Sequence, residues 1–271
     1  MGKIFTQNLC LIATERCNLN CAHCMRGKCS NKIMDDKVIK ATLSQFEYIQ
    51  NLSICGGEIT MALETLEKIF SYVIDNDIMV DMVTMVINGT IYSDDFLKML
   101  GYMSNYINDK KRKELAANFV ISKDKYHLSE IERLGKIREY FENVERYKSS
   151  KHFNGFQTLD GQLFREGNAE NLDLSLTAPM NPTTPQITYV GRYGRFDMID
   201  GTCNIGPIIC VNVDGTITEC DSSILHQITI YNYGNVLSDS IEDVMLNRGN
   251  VILKPRKWFR ATMNEINKYQ R

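Results

Sequence analysis

Short apolar runs alternate with segments of helical period through the first two-thirds of the chain. Asn8–Thr14 (NLCLIAT) has the length and composition of a strand. In Asp35–Gln50, Val38, Ile39, Leu43, Phe46 and Ile49 recur at helical spacing, which predicts a helix over that span. Leu52–Cys55 is a second short strand, stopped by Gly56-Gly57. Met61–Ile74 places Leu63, Leu66, Ile69, Phe70 and Val73 along one side of a helix. Asp81–Ile87 (DMVTMVI) is a third strand, closed by Asn88-Gly89. Tyr92–Ile107 follows as a helix with Ser93-Asp94-Asp95 as its cap. Leu115–Ser122 then reads as a strand, Leu128–Val144 as a helix and His152–Leu159 as a fifth strand.

This alternation predicts βα units around a parallel sheet. Such sheets carry their functional residues in the loops at the carboxyl ends of the strands. Four loops qualify, and they hold Cys17–Cys24, Gly56–Glu58, Asn88–Thr90 and Ser122–Asp124. Further on, the prolines of Pro179–Pro185 read as an extended linker. Ile208–Val213 and Thr216–Cys220 flank Asp214-Gly215, a hairpin signal. Helices from about Ser240 and about Arg256 finish the chain.

Composition narrows the function classes. The chain has 271 residues, 44% hydrophobic and 24% charged, enough for one large domain with a core. Its net charge of -2 does not suit a globally basic nucleic-acid binder, so no nucleic-acid partner is expected. No apolar run is long enough to span a membrane, and the opening MGKIFTQNLC lacks the pattern of a signal peptide. Nine cysteines, an odd number, then argue for reduced thiols in a cytoplasmic protein, where close cysteines point to metal or catalysis.

The densest chemical signal is Cys17-Asn-Leu-Asn-Cys21-Ala-His-Cys24. Three thiols this close can serve one metal centre if the backbone loops tightly, and Asn18 and Asn20 suit such a loop. Electron-transfer clusters of the 4Fe–4S type take four cysteines, so three would leave one iron open to another ligand. Here the chain resembles the radical S-adenosylmethionine superfamily. That family's CX3CXΦC signature follows the first strand, and His23 stands at its Φ position. Gly56-Gly57-Glu58 resembles the family's Gly-Gly-Glu after the second strand. Asn88-Gly89, Ser122-Lys123-Asp124 and Gly167-Asn168-Ala169 resemble its later elements, with Asn168 where the last commonly has Arg.

The resemblance, over about residues 8 to 170, implies a partial (βα)6 TIM-like barrel over residues 1–185. A small C-terminal α/β extension over 186–271 would close its mouth. It implies a 4Fe–4S cluster on Cys17, Cys21 and Cys24, with S-adenosylmethionine on the open iron. One-electron reduction would cleave that cofactor to a 5′-deoxyadenosyl radical, which abstracts hydrogen from substrate. Gly56 and Gly57 would let the backbone approach the methionyl moiety, and Glu58 would meet its ammonium. Asn88 would join these cofactor contacts. Ser122 and Asp124 would bond the ribose, while His23, Met25 and Gly167 would lie about the adenine. An external one-electron donor of flavodoxin or ferredoxin type is implied.

Cys203, Cys210 and Cys220, with Gly215 between the last two, resemble the opening half of the SPASM and twitch extensions of peptide-modifying maturases. The further cysteines of that pattern are absent, so a remnant hairpin without an auxiliary cluster is the expectation. The half-pattern makes a peptide or protein the expected substrate, with a small molecule such as a nucleoside or cofactor precursor as the alternative. A reading of another class is a zinc protein whose fourth ligand is His23 or Cys29. Cys10, Cys29 and Cys55 are expected to be structural, and His127 a helix-start residue. The basic run Lys110–Lys113 and the basic tail with Trp258 read as a solvated loop and an amphipathic packing helix.

Overall fold

The computed structural model describes residues 4–111, 117–123, 156–158, 163–164, 167–173, 177–178, 195–196, 209–218, 232–241, 243–244 and 254–255. In chain order the elements begin with β1 (Ile4–Thr14), α1 (Asp36–Leu43), β2 (Phe46–Gly56), α2 (Leu63–Asp75) and β3 (Met79–Ile87). Next come α3 (Asp94–Lys111), β4 (Ala117–Lys123), β5 (Phe156–Thr158), β6 (Leu163–Phe164), β7 (Thr177–Ala178) and β8 (Arg195–Phe196). The last are β9 (Ile209–Val211), β10 (Thr216–Thr218), β11 (Gly234–Asn235) and β12 (Lys254–Pro255).

Eight of the strands form one mixed sheet in the order β11-β10-β9-β1-β2-β3-β4-β5. Strands β1 to β5 are parallel neighbours in sequence order, as the alternating pattern predicts. On the other side of β1 the chain adds β9, also parallel, which turns back antiparallel into β10 and then β11. The Asp214-Gly215 hairpin thus forms where the sequence places it, with Gly215 at φ +87. β5 and β11 stand at opposite ends of the order, so the sheet is not closed among the described residues. No described helix is long and apolar enough to cross a membrane.

One prediction is corrected. The helix expected over 35–50 stops at Leu43, and Phe46–Gln50 belongs to β2. Helical spacing of Phe46 and Ile49 misleads because Tyr48 is buried as well, and Phe46, Tyr48 and Ile49 are strand-favouring residues. The Gln45 side chain closes the helix by donating to the Ala41 carbonyl (2.8 Å), while Ile4 N–H donates to the Gln45 carbonyl (2.7 Å). Pairing with β1, starting at Ile4 opposite Phe46, overrides local helical preference. Helices α2 and α3 lie near their predicted spans, whereas the helices expected over 128–144 and from Arg256 lie outside the described residues. Ser93 Oγ accepts from Phe96 N–H (3.1 Å) as a cap for α3.

The two faces of the sheet differ. Leu9, Leu11, Leu52, Ile54, Val83, Met85, Phe119 and Ile121 point to one face and are buried with α1, α2 and α3. Phe96 of α3 meets Phe119 edge-on, with centroids 5.6 Å apart. Each such buried side chain contributes about 1.5–3 kcal/mol. The alternate residues face the other way. Cys10, Ile12, Cys55, Cys210 and Val213 form a small apolar cluster there. Around it Asn8, Asn51 and Thr84 are half-buried and hydrogen-bonded in a row across β1, β2 and β3 (3.3 and 3.1 Å). One face is therefore an ordinary core, and the other is small, polar and partly open.

Candidate functional site

The carboxyl ends of β1, β2 and β3 carry the candidate site. After β1 the chain runs out through the cysteines and returns to Ile33, which bridges back to Thr14. Glu15 N–H donates to the Lys32 carbonyl (2.9 Å), and Ser30 N–H donates to the Glu15 carbonyl (3.2 Å). Within this loop Cys24 N–H donates to the Cys21 carbonyl (3.2 Å) and Gly27 N–H to the Cys24 carbonyl (3.1 Å). Gly27 sits at φ +70, a left-handed conformation that suits glycine. Cys17, Cys21, Cys24, Cys29, His23 and Met25 are all half-buried.

Gly56 and Gly57 receive this loop. Gly57 N–H donates to the Thr14 carbonyl (2.8 Å) and Glu58 N–H to the Arg16 carbonyl (2.6 Å). A Cβ on Gly57 would stand 2.2 Å from the Arg16 oxygen and 3.0 Å from Cys17 Cβ. The space left by the missing side chain is filled by the cysteine loop itself, a use the sequence reading did not foresee.

Glu58 is 1% exposed and ties the three loops together. Its Oε1 accepts from Thr60 N–H (3.0 Å) and Thr60 Oγ1 (2.5 Å), and its Oε2 accepts from Asn88 N–H (2.6 Å). Asn88 in turn donates from Nδ2 to Asn18 Oδ1 (3.0 Å), and to Cys17 Sγ at 3.9 Å. Thr90 Oγ1 accepts from Asn18 Nδ2 (2.7 Å) and donates to Asn88 Oδ1 (2.7 Å). Buried carboxylate and amide groups satisfied in this way fix one loop geometry.

A fourth segment reaches the loop from far along the chain. Asn168, in the 3-10 turn Gly167–Asn171, donates from its backbone N–H to the Cys24 carbonyl (2.9 Å). Its Nδ2 donates to the Cys21 carbonyl (2.9 Å). The residue that departs from the family pattern is thus a clamp on the cysteine loop.

The thiols influence one another. Burial pushes the Cys17 thiol up to about 11; Leu19 N–H, donating to Cys17 Sγ (3.4 Å), opposes this, and Cys29, Glu58 and Cys24 add to it. Burial, then the charge of Cys24, also raises Cys29, while a hydrogen bond with Cys17 lowers it. A cationic metal centre among these sulfurs would reverse that balance and hold them as thiolates. Soft sulfur donors, with Leu19 N–H and Asn88 Nδ2 aimed at Cys17 Sγ, fit an iron–sulfur centre. Among the described residues, no group of three or more His, Cys, Asp or Glu side chains is placed to hold a metal ion.

The remaining predicted positions divide. Ser122 is buried at the carboxyl end of β4. Gly167 opens the 3-10 turn that carries Asn168. Cys210 is fully buried in β9, level with Cys10 of β1, and packs with Cys55 on the face opposite α1, α2 and α3. Asp124, His127, the helix over 128–144, Pro179–Pro185, Cys203, Cys220 and Trp258 lie outside the described residues. Sequence reasoning placed Cys29 near the other cysteines only in the zinc alternative, and it missed Asn168 as the clamp.

No family model matches the chain. The uncharacterized protein MJ0907 of Methanocaldococcus jannaschii is 36% identical over 73 residues, a match spanning 26% of each chain. Among solved structures, native anSMEcpe with bound AdoMet and Cp18Cys peptide superposes with a TM-score of 0.52 at 16% identity, covering 91% of this chain and 81% of that one. The same protein with bound AdoMet and Kp18Cys peptide gives 0.51 at 17% identity, over 90% and 82%. The two superpositions show a shared fold.

Proposed function

We propose that the chain is a radical S-adenosylmethionine enzyme that modifies a peptide or protein. The observation that carries this reading is the joining of Cys17–Cys24, Gly56–Glu58 and Asn88–Thr90 at the carboxyl ends of three adjacent parallel strands. The fold likeness to anSMEcpe, solved with AdoMet and a peptide, supports it and is the basis for the peptide substrate. Strands β1–β5 are then the described part of a partial (βα)6 barrel over residues 1–185, and residues 186–271, which carry β9–β11, are its extension.

In this reading Cys17, Cys21 and Cys24 hold a 4Fe–4S cluster, which supplies the electron for reductive cleavage of S-adenosylmethionine to a hydrogen-abstracting radical. The protein's part is placement. Asn168 and the Glu58–Asn88–Asn18 network hold the cysteine loop at the strand ends. Gly56, Gly57, Glu58 and Asn88 would border the methionyl moiety, and Ser122 with Asp124 would orient the ribose. His23, Met25 and Gly167 would flank the adenine and exclude water. The half-open inner face, with Asn8, Asn51 and Thr84, offers amide and hydroxyl groups to a peptide backbone. A reduced flavodoxin or ferredoxin delivers the electron, and Cys203, Cys210 and Cys220 hold no auxiliary cluster.

Anaerobic purification tests the centre. The reading expects brown protein with about four irons per chain, and loss of that iron in Cys21→Ala. Colourless protein with one zinc contradicts it and favours a structural metal site. About eight irons in the wild type would overturn the exclusion of an auxiliary cluster.

A further inference from the structure

Val86 departs from the rest of its strand. Its neighbours Met85 and Ile87 are 0% and 1% exposed in the core against the helices, whereas Val86, on the other face, is 41% exposed. Of the large apolar side chains left exposed among the described residues, it is the one inside a sheet strand. Parallel strands are ordinarily covered on both faces. An open apolar position in the third of five parallel strands is therefore a place where the chain leaves room on its own sheet.

The strand register locates that room. Ile12 stands opposite Cys55, the Ile54–Met85 pair sets Cys55 level with Val86, and Val86 stands opposite Val120. Along this row Ile12 and Cys55 are buried and packed with Cys210 and Val213, while Val86 is exposed and Val120 half-buried. The opening thus lies over β3 and β4 and is filled on the β1 side. One pleat further from the strand ends, Ser53 stands opposite Thr84, and both are half-buried. Thr84 Oγ1 donates to Asn51 Oδ1 (3.1 Å), so a polar boundary follows the apolar row. None of these side chains is an acid or a base of the Asp, Glu, Lys, Arg or His type.

We propose that Val86 and Val120 seat an uncharged, aliphatic side chain of the substrate peptide, with Thr84 and Asn51 meeting its backbone amides. The proposal rests on the peptide reading above and specifies it. Val86 and Val120 lie two residues before Asn88 and Ser122, so a side chain seated on them is continuous with the strand ends that carry the candidate site. Covering two valines with an aliphatic group removes apolar surface from water on both partners. A charged group brought to the same place loses hydration and finds no countercharge among these residues. The amide and hydroxyl groups one pleat away match the donors and acceptors of a peptide backbone. An apolar row with a polar edge suits one residue of a peptide better than a nucleoside, whose base presents polar atoms around its rim.

The test uses full-length wild type, Val86→Asp, Val86→Ala and Cys21→Ala, each reconstituted anaerobically. The probes are the blocked peptides acetyl-Gly-Gly-Xaa-Gly-Gly-amide, with Leu, Gly, Asp or Lys at Xaa, and uridine. Affinities are read by ligand-observed NMR titration, and far-UV circular dichroism checks folding. Wild type is expected to bind the leucine peptide about tenfold more tightly than the glycine peptide, and the aspartate and lysine peptides no more tightly than glycine. Folded Val86→Asp should lose the leucine preference, and Val86→Ala should reduce it about threefold. Wild type that binds the four peptides alike, binds none of them saturably, or prefers uridine overturns the proposal. Folded Val86 variants with the wild-type preference overturn it too, and Val86→Ala decides alone if Val86→Asp does not fold. Formation of 5′-deoxyadenosine from S-adenosylmethionine and dithionite is read separately in wild type and Cys21→Ala. Equal yields there contradict the enzyme reading, whereas the peptide titrations judge the seat.

Discussion

Gly57 shows how one missing methyl group positions the site. Any Cβ there meets the Arg16 carbonyl at 2.2 and 2.7 Å, and that contact is backbone, which cannot swing away. Gly57→Ala is expected to push the cysteine loop off β2, lowering the melting temperature and the iron bound after reconstitution; wild-type values for both would contradict this account. Asn168 acts from the opposite side of the loop. Asn168→Ala removes the bond to the Cys21 carbonyl but keeps the backbone bond to Cys24. A loss of about 1 kcal/mol corresponds to about fivefold faster removal of iron by a chelator, with the fold retained. Removal at the wild-type rate would show that the clamp does not matter. The motif residues themselves were legible, because Cys17, Cys21, Cys24 and Gly56–Glu58 announce themselves by spacing. Asn168 was not, since its role depends on partners that only the folded chain brings near.

At the scale of elements, the strands and helices followed the hydrophobic period wherever one face was buried and the other was not. The exception lay at residues 46–50, where period alone fits either structure. Pairing along the whole of β1 settled it. Tyr48 in that segment donates to Asp81 Oδ2 (2.5 Å) across β2 and β3, and both residues are buried. Burial, then the charge of Asp81, drives the Tyr48 hydroxyl upward, so it stays a donor at neutral pH. Tyr48→Phe takes this donor from a buried carboxylate and should cost about 1–3 kcal/mol, read as a lower urea midpoint with unchanged slope. An unchanged midpoint would contradict the structural weight given to the pair.

Across the whole molecule, the informative feature is that the C-terminal hairpin enters the same sheet as the cysteine-bearing strand. The hairpin itself was legible from Asp214-Gly215, but its docking was not, because parallel pairing of β9 with β1 joins residues about two hundred positions apart. Val211 is fully buried at that junction. Val211→Asp places a charge there and should destabilise the protein by several kcal/mol, seen as a large fall in urea midpoint. A variant as stable as wild type would mean that the hairpin is peripheral to the core. The central claim concerns chemistry, and one measurement addresses it most directly. Anaerobically reconstituted protein is given S-adenosylmethionine and dithionite, and 5′-deoxyadenosine is quantified for wild type and Cys21→Ala. The account predicts steady formation of 5′-deoxyadenosine with methionine in the wild type and background in the variant; equal yields from the two proteins would contradict it.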